Sequence, residues 1–117
     1  MSIKTKTEHS GKVAIIEIRG SLVGDGDTDK FRDAVADFIE QGNRCLVVDL
    51  DKVNYMNSSG IGAIISAYTS YKKNNGVVKL SGLSNNIQSL LAVTKLIDIF
   101  EVYDSVGEAV AKFVSAN

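Results

Sequence analysis

The chain has 117 residues and a mass of 12.6 kDa, enough for one ordinary hydrophobic core and too little for two. Hydrophobic residues make up 44% and charged residues 23%, a globular balance that excludes disorder. The net charge is −1 at a pI near 5.7, which argues against both a nucleic-acid binder and a polybasic membrane anchor. The lone Cys45 excludes an intrachain disulfide and suits a reducing compartment. The N-terminal MSIKTKTEHSGK lacks an apolar signal core, and no stretch approaches the ~20 apolar residues of a membrane span. A cytoplasmic protein is expected.

In chain order, Ile3–Glu8 and the β-branched run Val13–Ile18 read as two strands joined by the hairpin turn His9–Lys12. In 28–41, Phe31, Ala34, Val35, Phe38 and Ile39 recur at three- and four-residue spacing and line one helix face. Asp27 or Thr28 is the expected cap of that helix and Gly42 its left-handed end. Leu46–Leu50 reads as a central strand covered on both faces. A helix over 58–74, a strand over 77–80, a helix over 85–94, a strand over 99–103 and a helix over 105–113 follow. Ser105 and Glu108 have the spacing of a capping box. Strands separated by helices must cross over, so the sheet after the first hairpin is expected to run parallel. The expected fold is α/β, one domain over 1–117, with about five strands, an antiparallel edge strand and about four helices.

Functional groups in such sheets gather beyond the carboxyl ends of the strands. Among those segments, 51–65 (DKVNYMNSSGIGAII) stands out as a polar turn with two apolar residues, then two serines opening a helix with two early glycines. Asn57, Ser58 or Ser59 can serve as an ordinary N-cap, and Gly60 and Gly62 can admit close packing. A serine at a helix N-terminus is also a good place for a phosphoryl group, because free N–H groups and the helix dipole stabilise an anion. Tyr55 and Met56 either bury against the sheet or form an apolar docking patch. Cys45 reads as a small buried hydrophobe and the sole histidine, His9, as a surface turn residue. One histidine and no GxSxG leave a serine hydrolase unsupported. The GDGD turn at 24–27 lacks the spacing of a P-loop, a dinucleotide fingerprint or an EF-hand.

The segment LVVDLDKVNYMNSSGIGAIISAY resembles the signature of the STAS domain family, in particular the bacterial anti-sigma-factor antagonists. IIEIRGSL and the C-terminal VVKLSGLSNNIQSLLAVTKLIDIFEVYDSVGEAV extend the similarity over essentially the whole chain. The resemblance implies a regulatory binding module and not an enzyme, with no cofactor. It implies that Ser58 accepts phosphate from a partner that is both anti-sigma factor and Ser protein kinase. The unphosphorylated form would bind that partner and free the sigma factor, and a PP2C-type phosphatase would restore it. Ser59 is the neighbouring hydroxyl, and Ser21, Asp25, Asp27, Tyr55, Met56, Asn57 and Gly60 make up the expected docking surface. Two positions differ from the family pattern: Asn57 replaces the Asp before the serine, and Val23 replaces the Asp after Gly-x-Leu. Two other readings stay open: a STAS subunit acting by constitutive contact in a transporter or stressosome-like assembly, and a small-molecule or nucleotide sensor.

Overall fold

The computed structural model describes residues 2–115, with the side chain of Asp25 outside the described residues. Strands β1 (Ser2–Glu8), β2 (Val13–Leu22), β3 (Cys45–Met56), β4 (Val77–Ser81) and β5 (Glu101–Tyr103) form one sheet in sequential order. Helices α1 (Asp25–Glu40), α2 (Ser58–Lys73), α3 (Asn85–Val93) and α4 (Val106–Ser115) follow β2, β3, β4 and β5 in turn. A short 3₁₀ turn, Leu96–Asp98, leads into β5. Only β1 runs antiparallel to its neighbour; the other three pairings are parallel. The architecture agrees with the α/β expectation.

Period-two alternation splits the sheet into two faces. Ala14, Ile16 and Ile18 of β2 with Leu46, Val48 and Leu50 of β3 face α1, α2 and α3 and make the main core with Phe31, Val35, Ala63, Ile64 and Ile87. Val13, Ile15 and Val47 face the other way and pack under α4 against Ala109 and Val110. On that second face the Lys79 ammonium lies 3.0 Å from Glu101 and 4.7 Å from the centre of the Phe113 ring. The charge is thereby paired beneath the helix, and the ion pair holds the Glu101 carboxyl below its ordinary pKa.

Four boundaries depart clearly from the sequence expectation. Helix α1 begins at Asp25, because Gly24 at φ 82° turns the chain straight into the helix. Neither Asp27 nor Thr28 is therefore the cap; the cap residue is Gly24, which has no side chain to make a cap bond. Gly42, at φ 88°, does take the left-handed position after α1. Strand β2 runs on to Leu22 and β3 to Met56, so the segment read as a polar turn is strand. Register shifts between Glu17 and Arg19 and between Gly20 and Ser21 break the alternation there. Strand β5 is shorter than expected, since Ile99 belongs to the end of the 3₁₀ turn.

The other local signals hold. Lys12 N–H donates to the His9 carbonyl at 3.2 Å and closes the hairpin, with His9 exposed. Ser105 Oγ accepts from Glu108 N–H at 3.2 Å. The reciprocal bond runs from Asp104 N–H to Glu108, one residue before the cap. Cys45, expected to be buried, is only half-buried beside the α4 cluster, and burial still pushes its thiol pKa up.

Candidate functional site at the start of helix α2

The long β2–β3 pairing builds the site. It sets Ser21 opposite Tyr55 and Leu22 opposite Met56 at the carboxyl edge of the sheet. Leu22 and Met56 point into the core, at 0% and 2% exposure, while Tyr55 is 57% exposed. Met56 is thus a core residue and is withdrawn from the expected docking surface. Beside Tyr55, the Ser21 hydroxyl donates to Asn54 Oδ1 at 2.9 Å and ties the two strand ends together on their exposed side. Asn54 went unnoticed in the sequence because its partner lies 33 positions away and meets it only through the strand register.

At Asn57 the backbone is still extended, at φ −99° and ψ −169°, and helix α2 begins with the next residue. Asn57 Oδ1 accepts from Gly60 N–H at 3.1 Å, and the Asn57 carbonyl accepts from Ile61 N–H at 2.9 Å. The amide oxygen performs the N-cap bond that a carboxylate oxygen would make, so the Asp-to-Asn difference leaves the helix start intact. Gly60 is buried: a Cβ there would collide with the Leu22 carbonyl oxygen and stand 2.9 Å from Met56 Cβ. It shapes the site from beneath and offers no surface to a partner. Gly62 has open space around it, so close packing does not explain that glycine.

Ser58, the first helical residue, is exposed, and Ser59 and Asn57 are half-buried. With Gly60 N–H taken by the cap, the N–H groups of Ser58 and Ser59 remain without intrahelical acceptors, as at any helix start. The first turn carries no acidic residue and the last turn carries Lys72 and Lys73. The end that holds Ser58 is consequently the positive pole of a 16-residue helix with no carboxylate in its own first turn. Asp27 is half-buried in the first turn of α1, the helix that leaves the neighbouring strand end. The structure therefore gathers Ser21, Tyr55, Asn57, Ser58 and Ser59 at one edge, with Asn54 added and with Met56 and Gly60 inside. Among the described residues no carboxylate or imidazole hydrogen-bonds the Ser58 or Ser59 hydroxyl. His9 lies at the opposite end of β2.

Residues 4–109 match the family model of the STAS domain, and the chain belongs to that family. Its similarity to individual proteins points the same way. An anti-sigma-B factor antagonist of Listeria monocytogenes is 36% identical over 63 residues, which cover 54% of this chain and 55% of the relative. This chain thus aligns to about half the length of that relative. A Thermotoga maritima protein shares the fold with a TM-score of 0.85 at 22% identity, covering 94% of this chain and 92% of its own. The anti-sigma factor antagonist SpoIIAA, a Bacillus cell fate determinant, matches at 16% identity in both its unphosphorylated and phosphorylated forms. The TM-scores are 0.77 and 0.78, with coverage of 99% and 96% of this chain and 100% and 99% of SpoIIAA. No helix of the described residues is long and apolar enough to cross a membrane.

Proposed function

We propose that this STAS protein is a cytoplasmic anti-sigma-factor antagonist switched by phosphorylation of Ser58. In the unphosphorylated form it binds an anti-sigma factor that is also a Ser kinase, and so releases the sigma factor. Phosphate on Ser58 ends that binding, and a PP2C-type phosphatase removes it. The observation that carries the reading is the exposed Ser58 hydroxyl at the first position of α2, set by the Asn57 cap against the helix's free N–H groups. A phosphoryl group there gains from the dipole and from those donors, and meets no acidic side chain in the first turn. Among the described residues no base is hydrogen-bonded to that hydroxyl, which suits a substrate of a kinase. The docking surface is then Ser21, Asn54, Tyr55, Asn57 and Ser59 around Ser58, with Asp25 and Asp27 at the start of α1. Tyr55 supplies the aromatic anchor such interfaces favour.

The test is incubation with ATP and a candidate Ser-kinase anti-sigma factor, followed by mass spectrometry of the product. Phosphate on Ser58 supports the reading. Phosphate on Ser59 alone, or none from a kinase active on another substrate, overturns it. The same free N–H groups favour one competing reading, a sensor that binds a free anionic ligand at the helix start. Ser58→Ala separates the two, because it abolishes phosphorylation while leaving those N–H groups able to bind an anion.

A further inference from the structure

On the α4 face the strand registers align five polar side chains in one transverse row: Lys4, Glu17, Asp49, Ser81 and Tyr103. A row crossing the middle of a sheet is ordinarily apolar where a helix covers it, as Val13, Ile15 and Val47 are here. Where α4 begins, the row opens into a cavity of about 280 Å³ lined by Lys4, Lys6, Ile15, Glu17, Asp49 and Val106.

The charges around this cavity are equal in number but are not paired with one another. Asp49 is only 9% exposed, and among the described residues its carboxylate accepts one hydrogen bond, from Asp51 N–H to Oδ1 at 3.0 Å. Among the described residues it has no cation within ion-pair distance, although a buried carboxylate ordinarily requires one. Its row neighbour Glu17 is another acid, already bound by Arg19 Nε at 2.6 Å. Lys6 is engaged with Glu8 at 3.5 Å, whereas Lys4 has no ion pair among the described residues. The fully buried Ser81 hydroxyl, next in the row after Asp49, has no hydrogen-bond partner among the described residues. Lys4 and Asp49, charges of opposite sign and neither in an ion pair among the described residues, thus face one cavity whose floor, Ile15, and wall, Val106, are apolar.

We propose that this cavity binds a small ω-amino acid, its ammonium group on Asp49, its methylene chain over Ile15 and Val106, and its carboxylate toward Lys4. Lys4 and Asp49 stand on strands two apart, about 10 Å at the backbone, so the ligand's charges must be several bonds apart. An α-amino acid, with its charges on adjacent atoms, would satisfy one partner at a time. The site lies on the opposite face of the sheet from α2 and does not depend on the Ser58 reading.

The probe is 6-aminohexanoate, titrated into the protein while backbone amide resonances are followed by NMR, with hexylamine and hexanoate as single-charge controls. The expected result is saturable shifts centred on Lys4, Ile15, Glu17, Asp49 and Val106. Asp49→Asn should weaken binding at least about tenfold, as should Lys4→Met, and each single-charge control should bind at least about tenfold more weakly. Asn at position 49 can still accept from Asp51 N–H, and Lys4 is exposed, so the two variants test the site without a shared risk to folding. Absence of saturable shifts, shifts centred elsewhere, binding unchanged in both variants, or hexylamine matching 6-aminohexanoate would overturn the assignment.

Discussion

Gly60 of α2 rests against the backbone of Leu22, so closely that a Cβ at position 60 would strike the Leu22 carbonyl oxygen. That contact fixes how deeply the start of α2 sits between the ends of β2 and β3, and with it the height of Ser58. Backbone cannot yield as a flexible side chain can, so Gly60→Ala should destabilise the domain by about 2–3 kcal/mol. Gly62, two residues on, meets nothing within 4 Å, and Gly62→Ala should stabilise the helix by about 0.5–1 kcal/mol. Urea midpoints of the two variants should therefore move in opposite directions.

Tyr71 and Asn43 tie α2 to the lower edge of the sheet. The Tyr71 hydroxyl donates to Asn43 Oδ1 at 2.8 Å, Cys45 N–H donates to the same oxygen at 3.1 Å, and Asn43 Nδ2 reaches the Lys12 carbonyl at 3.1 Å. Tyr71→Phe removes one bond from a shared acceptor and should cost about 1 kcal/mol, whereas Asn43→Ala strands several buried groups and should cost about 2–3 kcal/mol. Burial raises the Tyr71 pKa above the tyrosine range. The unfolded tyrosine ionises near pH 10 while the native one resists, so stability falls as pH rises beyond that point. Denaturant melts at high pH should show that decline reduced in Tyr71→Phe.

Asp49 predicts an opposite slope to its neighbour. Burial raises its pKa, partly offset by the bond from Asp51 N–H, while Glu17, Asp51 and Lys52 act on it through space. The neutral form suits the fold, so its contribution is present at low pH and is lost as pH rises through the native pKa. Glu17, lowered chiefly by its bond to Arg19, contributes stability above its unfolded pKa and loses it as pH falls through the native one. Asp49→Asn should therefore show a higher urea midpoint than the parent at pH 7, with the gap closing on acidification. Glu17→Gln should be the less stable variant at pH 7 and converge with the parent in acid.

The order of elements was legible because each helix announces its own apolar spacing and each covered strand its β-branched run. The Asn57 cap and the helix start at Ser58 were legible for the same reason: both are local. What lay hidden depends on pairing between distant segments. Val53 and Met56 are buried while Asn54 and Tyr55 between them are exposed, a pattern the irregular β2–β3 register creates and no period-two reading recovers. Gly24 started α1 earlier than Asp27 or Thr28 suggested, since a positive-φ glycine can open a helix without a side-chain cap. In sequence Asp49 is a single polar residue within Leu46–Leu50; only the sheet reveals that Glu17 and Ser81 share its row.

The last expectation concerns how a phosphate on Ser58 would act. It adds ~1.5 to 2 negative charges at the first residue of α2, where the dipole and the open N–H groups favour an anion. Asn57 caps the helix without a charge of its own, so the phosphate meets no repulsion from that position. Ser58 is exposed and packs no core, so the fold should survive with its backbone little changed. The cost falls instead on a partner surface shaped for a hydroxyl, where an unpaired charge must be desolvated beside Tyr55 and the Ser21–Asn54 pair. A loss of ~2 kcal/mol or more, over tenfold in affinity, follows for an uncompensated interfacial charge. Ser58→Asp should then bind the anti-sigma partner weakly, Ser58→Ala should bind it and resist switching, and both should melt near the parent protein. Calorimetric titration of the three proteins, paired with thermal melts, separates the alternatives. Unfolding of Ser58→Asp would place the effect in the fold, and undiminished binding would show that charge at Ser58 does not control the interface.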